Sequence, residues 1–267
     1  GIYPSTGLYH TNLPGNVLSH YPELEYYGKL NFFKAGIVGA DRVNTVSPTY
    51  AEEILRPEFG CGLEGVLQSL DHPVRGIVNG VDTDLWNPET DSALPATFSR
   101  KRLTGKGTCK TELLKELGFN DTKGDVPLFV MITRLVEQKG LELLKQAMEP
   151  FLSLPVNVAI LGSGQQEYHD WIRSMQQTNP ENFKAVLGYD VGLSHRLEAG
   201  GDFFLMPSRF EPCGLNQMYS LRYGTIPIVN PTGGLKDTVR DLRTDTKTGT
   251  GFHLRSYTAE SLLECVR

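Results

Sequence analysis

Ser208-Arg209-Phe210-Glu211-Pro212-Cys213-Gly214-Leu215-Asn216-Gln217 is the run that decides the fold. It follows the apolar segment Asp202-Phe203-Phe204-Leu205-Met206-Pro207 and leads into Met218-Tyr219-Ser220-Leu221-Arg222, which continues from Gln217 as a helix. A strand, a glycine turn with one acid and a helix make a ligand-presenting unit. Open parallel sheets hold ligands at the carboxyl ends of their strands, where helix N-termini point unpaired amides at phosphate. Glu211 then stands beside a phosphate site, where an acid grips neutral sugar hydroxyls. The same run also reads as an ordinary loop with an N-capping acid, so the neighbouring elements must decide.

Outward from that run the same unit recurs. Apolar strands are predicted at 126–132, 156–161, 183–187 and 226–229, and helices at 139–148, 166–176, 193–199 and after Gly234. Repeated strand–helix units with near-continuous apolar strands predict an α/β fold with a doubly wound parallel sheet. Further upstream, 28–38 has helical spacing, 42–46 reads as a short strand, 49–55 as a helix, and 74–82 as a strand closing at Asn79-Gly80. Residues 1–22 carry no periodicity and read as irregular, and 84–107 is polar and proline-containing. A boundary near Val74 separates residues 1–74, too small to stand alone, from 75–267.

Composition excludes several function classes. The 267 residues are 39% hydrophobic and 21% charged, with net charge -5 and 26 basic residues scattered along the chain, so there is no electrostatic footprint for nucleic acid. Cys61, Cys109, Cys213 and Cys265 lie far apart without a CxxC pair, which argues against a disulfide framework or a zinc site and for a reducing cytosol. No apolar run reaches the ~18–20 residues of a membrane span, and the opening residues lack a signal-peptide pattern. The chain starts on Gly1 and stops inside the amphipathic pattern of 259–267, so both ends read as cut.

Three more turns join the first. Thr133-Arg134-Leu135-Val136-Glu137-Gln138-Lys139-Gly140 follows a strand and opens a helix, so Arg134 and Lys139 can face a diphosphate on the edge that holds Glu211. The plain alternative is a pair of solvated surface cations. Gly162 and Gly164, after the 156–161 strand, resemble the start of a dinucleotide fingerprint without its third glycine, and read either as close backbone approach to a nucleoside or as a tight turn. Gly233 and Gly234 offer amides suited to an anion, or a helix cap. Together the four turns point to a phosphate-rich ligand. Tyr189 reads as a base-stacking ring or a half-buried tyrosine, and His195 as a residue approaching substrate or, with neither a carboxylate nor a nucleophile adjacent in sequence, the more ordinary structural hydrogen-bond partner. No GxSxG elbow supports a hydrolase.

The combined motifs resemble the bacterial glycogen synthase and plant starch synthase family, retaining glucosyltransferases of the GT-B type with two Rossmann-like domains. The resemblance is carried by Lys34-Ala35-Gly36, Ala40-Asp41-Arg42, 45–51 and 61–67; by Asn79-Gly80-Val81-Asp82 with Trp86; and most specifically by Arg134 with Gln138-Lys139-Gly140, 208–215 and 223–235. It implies that 1–74 is the end of an N-terminal acceptor-side domain and 75–267 a nucleotide-sugar domain lacking its last segment.

It implies transfer of glucose from ADP-glucose to the non-reducing end of an α-1,4-glucan with retention, in the cytoplasm or a plastid stroma, with no cofactor and no metal. By the same resemblance Arg134 and Lys139 neutralise the departing diphosphate and Glu211 holds the donor glucose. Cys213 and Gly214 line that pocket, and the amides of Leu215 and Asn216 meet phosphate. Tyr189 lies against adenine, Asn79 touches glucose, and Gly233 and Gly234 match a family motif and join the substrate-binding set, to which Gly162 and Gly164 are added from the reading of their own turn. Removing Arg134 or Lys139 is expected to cost turnover with little loss of fold. Many related retaining enzymes carry a second Glu eight residues after the first; here that place is Tyr219, as in the glycogen synthase family. The family's N-terminal Lys-Thr-Gly-Gly-Leu loop is absent, so the chain alone is expected to bind nucleotide weakly and turn over poorly. Two alternatives are a noncatalytic nucleotide- or glucan-binding module of this fold and a GT-B enzyme using UDP-glucose.

Overall fold

The computed structural model describes residues 1–14 and 16–267. Gly15 falls in the stretch read as irregular and lies outside the described residues. The chain divides between Ile77 and Val78 into two units, three residues beyond the boundary read from the sequence.

In the first unit β1 (Ile2–Pro4) is followed by a 3-10 turn at Ser5–His10, α1 (Val17–His20), β2 (Glu25–Tyr26) and β3 (Lys29–Asn31). The strands form an antiparallel sheet in the order β1-β3-β2, so the segment expected to be irregular contains a strand. The helix expected from residue 28 begins only at α2 (Phe32–Val38), because 29–31 is held in that sheet and the Asn31 side chain caps the amide of Lys34 at 3.0 Å. Then come β4 (Asn44–Thr45), α3 (Pro48–Glu53), α4 (Pro57–Gly60), α5 (Glu64–Gln68) and β5 (Arg75–Gly76), the last paired in parallel with β4.

The second unit opens with an irregular strap from Val78 and then α6 (Thr104–Leu117), a helix the sequence reading passed over. Its first turn, Thr104-Gly105-Lys106-Gly107, has no apolar residue, and only Cys109, Leu113 and Leu114 are buried, too few for a visible period. The series continues as β6 (Leu128–Leu135), α7 (Leu141–Leu152), β7 (Asn157–Gly164), α8 (Gln166–Thr178), β8 (Phe183–Leu187), α9 (Val191–Gly200) and β9 (Phe203–Met206). It closes with α10 (Asn216–Tyr223), β10 (Ile226–Val229), α11 (Gly233–Thr238), β11 (Phe252–His253) and α12 (Ala259–Val266).

All six strands are parallel, in the order β11-β10-β9-β6-β7-β8. Successive strand residues point to opposite faces, and each face has its own core. Phe129, Met131, Val158, Ile160, Leu205 and Ile228 join α7, α8 and α12 on one side. Leu128, Val130, Ala159, Leu161, Phe204 and Val229 join α6, α9 and α11 on the other. Burial on both faces is why these strands are apolar without alternation. The chain adds β7 and β8 to one side of β6, then returns to place β9 on the other. The carboxyl ends of β6 and β9 therefore flank a topological switch point, the crevice where such sheets bind ligands.

Two strands outrun their predicted ends. β6 extends to Leu135, so Arg134 sits on the strand tip, and β7 extends to Gly164, with Gly162 and Gly164 paired to Thr133 and Leu135. The expected glycine turn is thus strand. A Cβ on Gly164 would come within 2.2 Å of the Leu135 carbonyl oxygen, so the glycine serves close strand approach.

Candidate functional site

The turns after β6 and β9 are bound to each other. The amide of Arg209 donates to the Gln138 carbonyl at 2.9 Å, and Gln138 Nε2 donates to the Phe210 carbonyl at 3.1 Å. Gly140 makes the crossing possible: its φ is +79°, and a Cβ there would lie 2.0 Å from the Pro207 carbonyl oxygen. The approach brings Lys139 Nζ to 2.5 Å from Glu211 Oε2, while Ser208 Oγ donates to the same oxygen at 3.0 Å. The pair is largely dry, with the Lys139 and Glu211 side chains 15% and 8% exposed. Low exposure strengthens their attraction and raises the cost of separating them.

The Glu211 loop is also held from behind. The Gly234 amide donates to the Glu211 carbonyl at 3.1 Å. Gly233, at φ +44°, would place a Cβ 2.0 Å from that same oxygen, and a Cβ on Gly234 would come within 2.2 Å of the Cys213 carbonyl oxygen. Gln217 is fully buried and donates to the carbonyls of Cys213 and Gly214 at 2.9 and 3.2 Å. These contacts turn the loop's carbonyls inward. The N-terminal turn of α10, at Asn216, then borders the crevice, and Asn216 Nδ2 is tied to the Ile132 carbonyl at 2.8 Å.

A cavity of about 350 Å³ opens here, lined among others by Asn79, Arg134, Lys139, Glu211, Cys213 and Asn216. Gly214 and Leu215 are on its wall, and Met131 and Leu205 give it an apolar part. A second cavity of about 210 Å³ shares Ile132, Thr133, Arg134 and Asn216 with the first and adds Gly162 and Tyr189. Arg134 thus borders both, and among the described residues it makes no ion pair. Among the described residues the arrangement provides one free cation, one paired cation and one carboxylate around the larger cavity. Beside it lies a smaller recess edged by a ring, since Tyr189 is 90% exposed.

Ten of the thirteen site residues read from the sequence meet at these two cavities; Gly164, Gly233 and Gly234 do not line either. Gly164 packs against the neighbouring strand, and Gly233 and Gly234 support the Glu211 loop from the rear. Sequence reasoning missed Ser208 as a site residue, although its spacing three residues before Glu211 is the clue. Among the described residues no group of three or more His, Cys, Asp or Glu is placed to hold a metal, and no helix is long and apolar enough to cross a membrane.

His195 stands apart from the cavities. Its Nδ1 lies 2.7 Å from Asp91 Oδ2, which also accepts from Tyr223 Oη at 2.5 Å. Burial pushes the Asp91 carboxyl up, but the bonds from Tyr223, the Ala93 amide and His195 outweigh it and hold the carboxyl below its ordinary range. The indole of Trp86 stacks on His195 at 4.1 Å and on Tyr219 at 3.8 Å. Tyr219, eight residues after Glu211, is thus taken up by packing against the indole. The partners lie more than a hundred residues apart, so no local pattern announces them.

Residues 114–267 match the family Glycosyl transferases group 1, and residues 1–69 match the starch synthase catalytic domain. The chain is 47% identical over 267 residues to a glycogen synthase of Anaeromyxobacter sp. (strain Fw109-5), covering 100% of the chain and 56% of that protein. It is 49% identical over 264 residues to a glycogen synthase of Opitutus terrae, covering 99% and 54%. The catalytic domain of starch synthase IV from Arabidopsis thaliana, solved with ADP and acarbose, superposes with a TM-score of 0.92 at 36% identity, over 99% of this chain and 56% of that one. A sucrose-phosphate synthase from Thermosynechococcus elongatus shares the fold, with a TM-score of 0.60 at 19% identity over 93% of this chain and 55% of that one. The chain spans about half the length of the curated relatives it matches. The switch-point crevice thus lies on a Rossmann-like sheet of the GT-B fold, and the chain belongs to the group 1 glycosyl transferases, its full-span relatives being glycogen synthases.

Proposed function

We propose that this chain carries the donor half of a glycogen or starch synthase, which transfers glucose from ADP-glucose to the non-reducing end of an α-1,4-glucan with retention of configuration. The observation that carries the reading is the dry Lys139–Glu211 pair beside the unpaired Arg134 at the switch point. As the glycosidic C–O bond breaks, negative charge grows on the departing diphosphate. Fixed cations and helix amides stabilise that charge more in the transition state than in the ground state. Arg134 offers a planar fork to the phosphates, Lys139 a point charge, and the first amides of α10 at Leu215 and Asn216 complete the anion site.

Glu211 serves a different purpose. One carboxylate oxygen is committed to Lys139 and Ser208, and the carboxylate so oriented accepts from hydroxyls of the donor glucose, which Asn79 approaches from the strap. Tyr189 covers adenine in the smaller recess. Because two cations meet the diphosphate, transfer needs no divalent metal in this reading. The four free thiols suit a reducing compartment, the cytoplasm.

The donor is tested by competition. With glycogen as acceptor, the full-length protein should transfer labelled glucose from ADP-glucose, undiminished by a chelator, and excess UDP-glucose should compete poorly. Equal use of UDP-glucose would overturn the donor assignment, and binding without transfer would leave a noncatalytic module.

A further inference from the structure

Asn79 lines the larger cavity, yet among the described residues its side chain has no hydrogen-bond partner. It sits on a stretch, 77–82, that is itself neither helix nor strand. Something else must fix its position.

The strap is fastened three residues later. Asp82 Oδ1 accepts from the amides of Asp84 and Leu85, both at 3.0 Å, and the Trp86 amide donates to the Asp82 carbonyl at 2.9 Å, which makes a tight capped turn. That turn delivers the Trp86 indole between two flat partners. His195, from α9, lies parallel to it within 7°, and Tyr219, from α10, within 8°. The Trp86 carbonyl accepts from Arg222 Nε at 3.2 Å. Five residues on, Asp91 closes the strap onto His195 and Tyr223. Tyr219 lies one helical turn from Asn216, which borders the same cavity as Asn79.

We infer that Trp86 is a positioning residue for the donor sugar: clamped between His195 and Tyr219, it locks the strap to α10 and so sets Asn79 against the ligand held at that helix's N-terminus. The inference rests on the nucleotide-sugar reading. It also gives Tyr219 a purpose, since its ring forms one face of the stack.

The two readings separate in one experiment. ADP and ADP-glucose are titrated against the full-length protein by ligand-observed NMR, which reads weak binding, and the ratio of the two dissociation constants is followed. Trp86→Ala should lower the preference for ADP-glucose over ADP about tenfold, the worth of one hydrogen bond, while changing ADP affinity less than twofold. Asn79→Ala should do the same, and the double variant no more, because both remove one contact. Trp86→Phe keeps a stacking ring and should restore the preference, which a general loss of fold would not allow. An unchanged ratio in Trp86→Ala, equal loss of both ligands, or additive effects with Asn79→Ala would overturn the positioning role. If the unaltered full-length protein binds neither ligand, the nucleotide-sugar reading itself falls and the positioning role with it.

Discussion

Replacing Lys139 by alanine leaves Glu211 as a carboxylate that is 8% exposed with only the Ser208 hydroxyl to answer it. Removing one partner of a buried ion pair costs about 3–5 kcal/mol, because the remaining charge is stranded rather than because the pair itself is worth that much. The Ser208 bond survives, so about 3 kcal/mol is the expected loss. In a unit of this size each kcal/mol moves the melting midpoint by about 2–4 °C, which gives a fall of about 6–12 °C. The sequence reading expected little loss of fold from this change; the pairing, invisible across 72 residues of chain, reverses that expectation. The assay is a double-mutant cycle by thermal unfolding with Lys139→Ala, Glu211→Gln and both together. Neutralising Glu211 as well should recover most of the loss. If Lys139→Ala melts within a degree or two of the parent, or if the two changes simply add, the buried pair is not what holds these turns together.

Other consequences concern buried groups elsewhere in the second unit and the support of the Glu211 loop. Glu198 is buried with neither carboxylate oxygen hydrogen-bonded among the described residues, and burial pushes its carboxyl well above the ordinary 4.5 against the pull of the Lys106 ammonium. Its folded-state value lies above the unfolded one, so its contribution is most favourable below the unfolded value and is lost as pH rises through the folded one. Glu198→Gln should therefore raise the melting midpoint at pH 8 and change it little near pH 5; an equal change at both would contradict this. Gly233→Ala meets the Glu211 carbonyl at 2.0 Å and takes on a left-handed φ that costs an alanine about 1–2 kcal/mol. It should lower the melting midpoint and abolish nucleotide-sugar binding together, and intact binding would show that the rear support of the loop is dispensable.

The sheet was legible because its inner strands are buried on both faces and read as apolar runs: 226–229 was bounded correctly, and so was the edge strand 183–187 although Lys184 interrupts it. Arg134, Lys139 and Glu211 were legible because a parallel sheet sends every strand-to-helix turn to one edge. What escaped was tertiary. α6 hides its period because its entry turn is Thr-Gly-Lys-Gly, and it is anchored by Lys106 donating to the Ala199 and Gly201 carbonyls, both at 2.9 Å. Gly162 and Gly164 looked like a turn because glycine marks turns, whereas here it admits a neighbouring strand's backbone. Trp86 gave no sign of its purpose, since His195 and Tyr219 reach it from helices far along the chain.

The central claim is that the Arg134 corner of the crevice receives the leaving diphosphate. Arg134 is exposed on a strand tip, and among the described residues it makes no ion pair, so Arg134→Ala should leave thermal unfolding unchanged. Initial rates of glucose transfer from ADP-glucose to glycogen, measured with the full-length protein and this variant, then isolate the chemistry. The account predicts a fall in kcat of about 100- to 1000-fold, as for other single stabilisers of transition-state charge. Equal rates at an unchanged melting midpoint would contradict it.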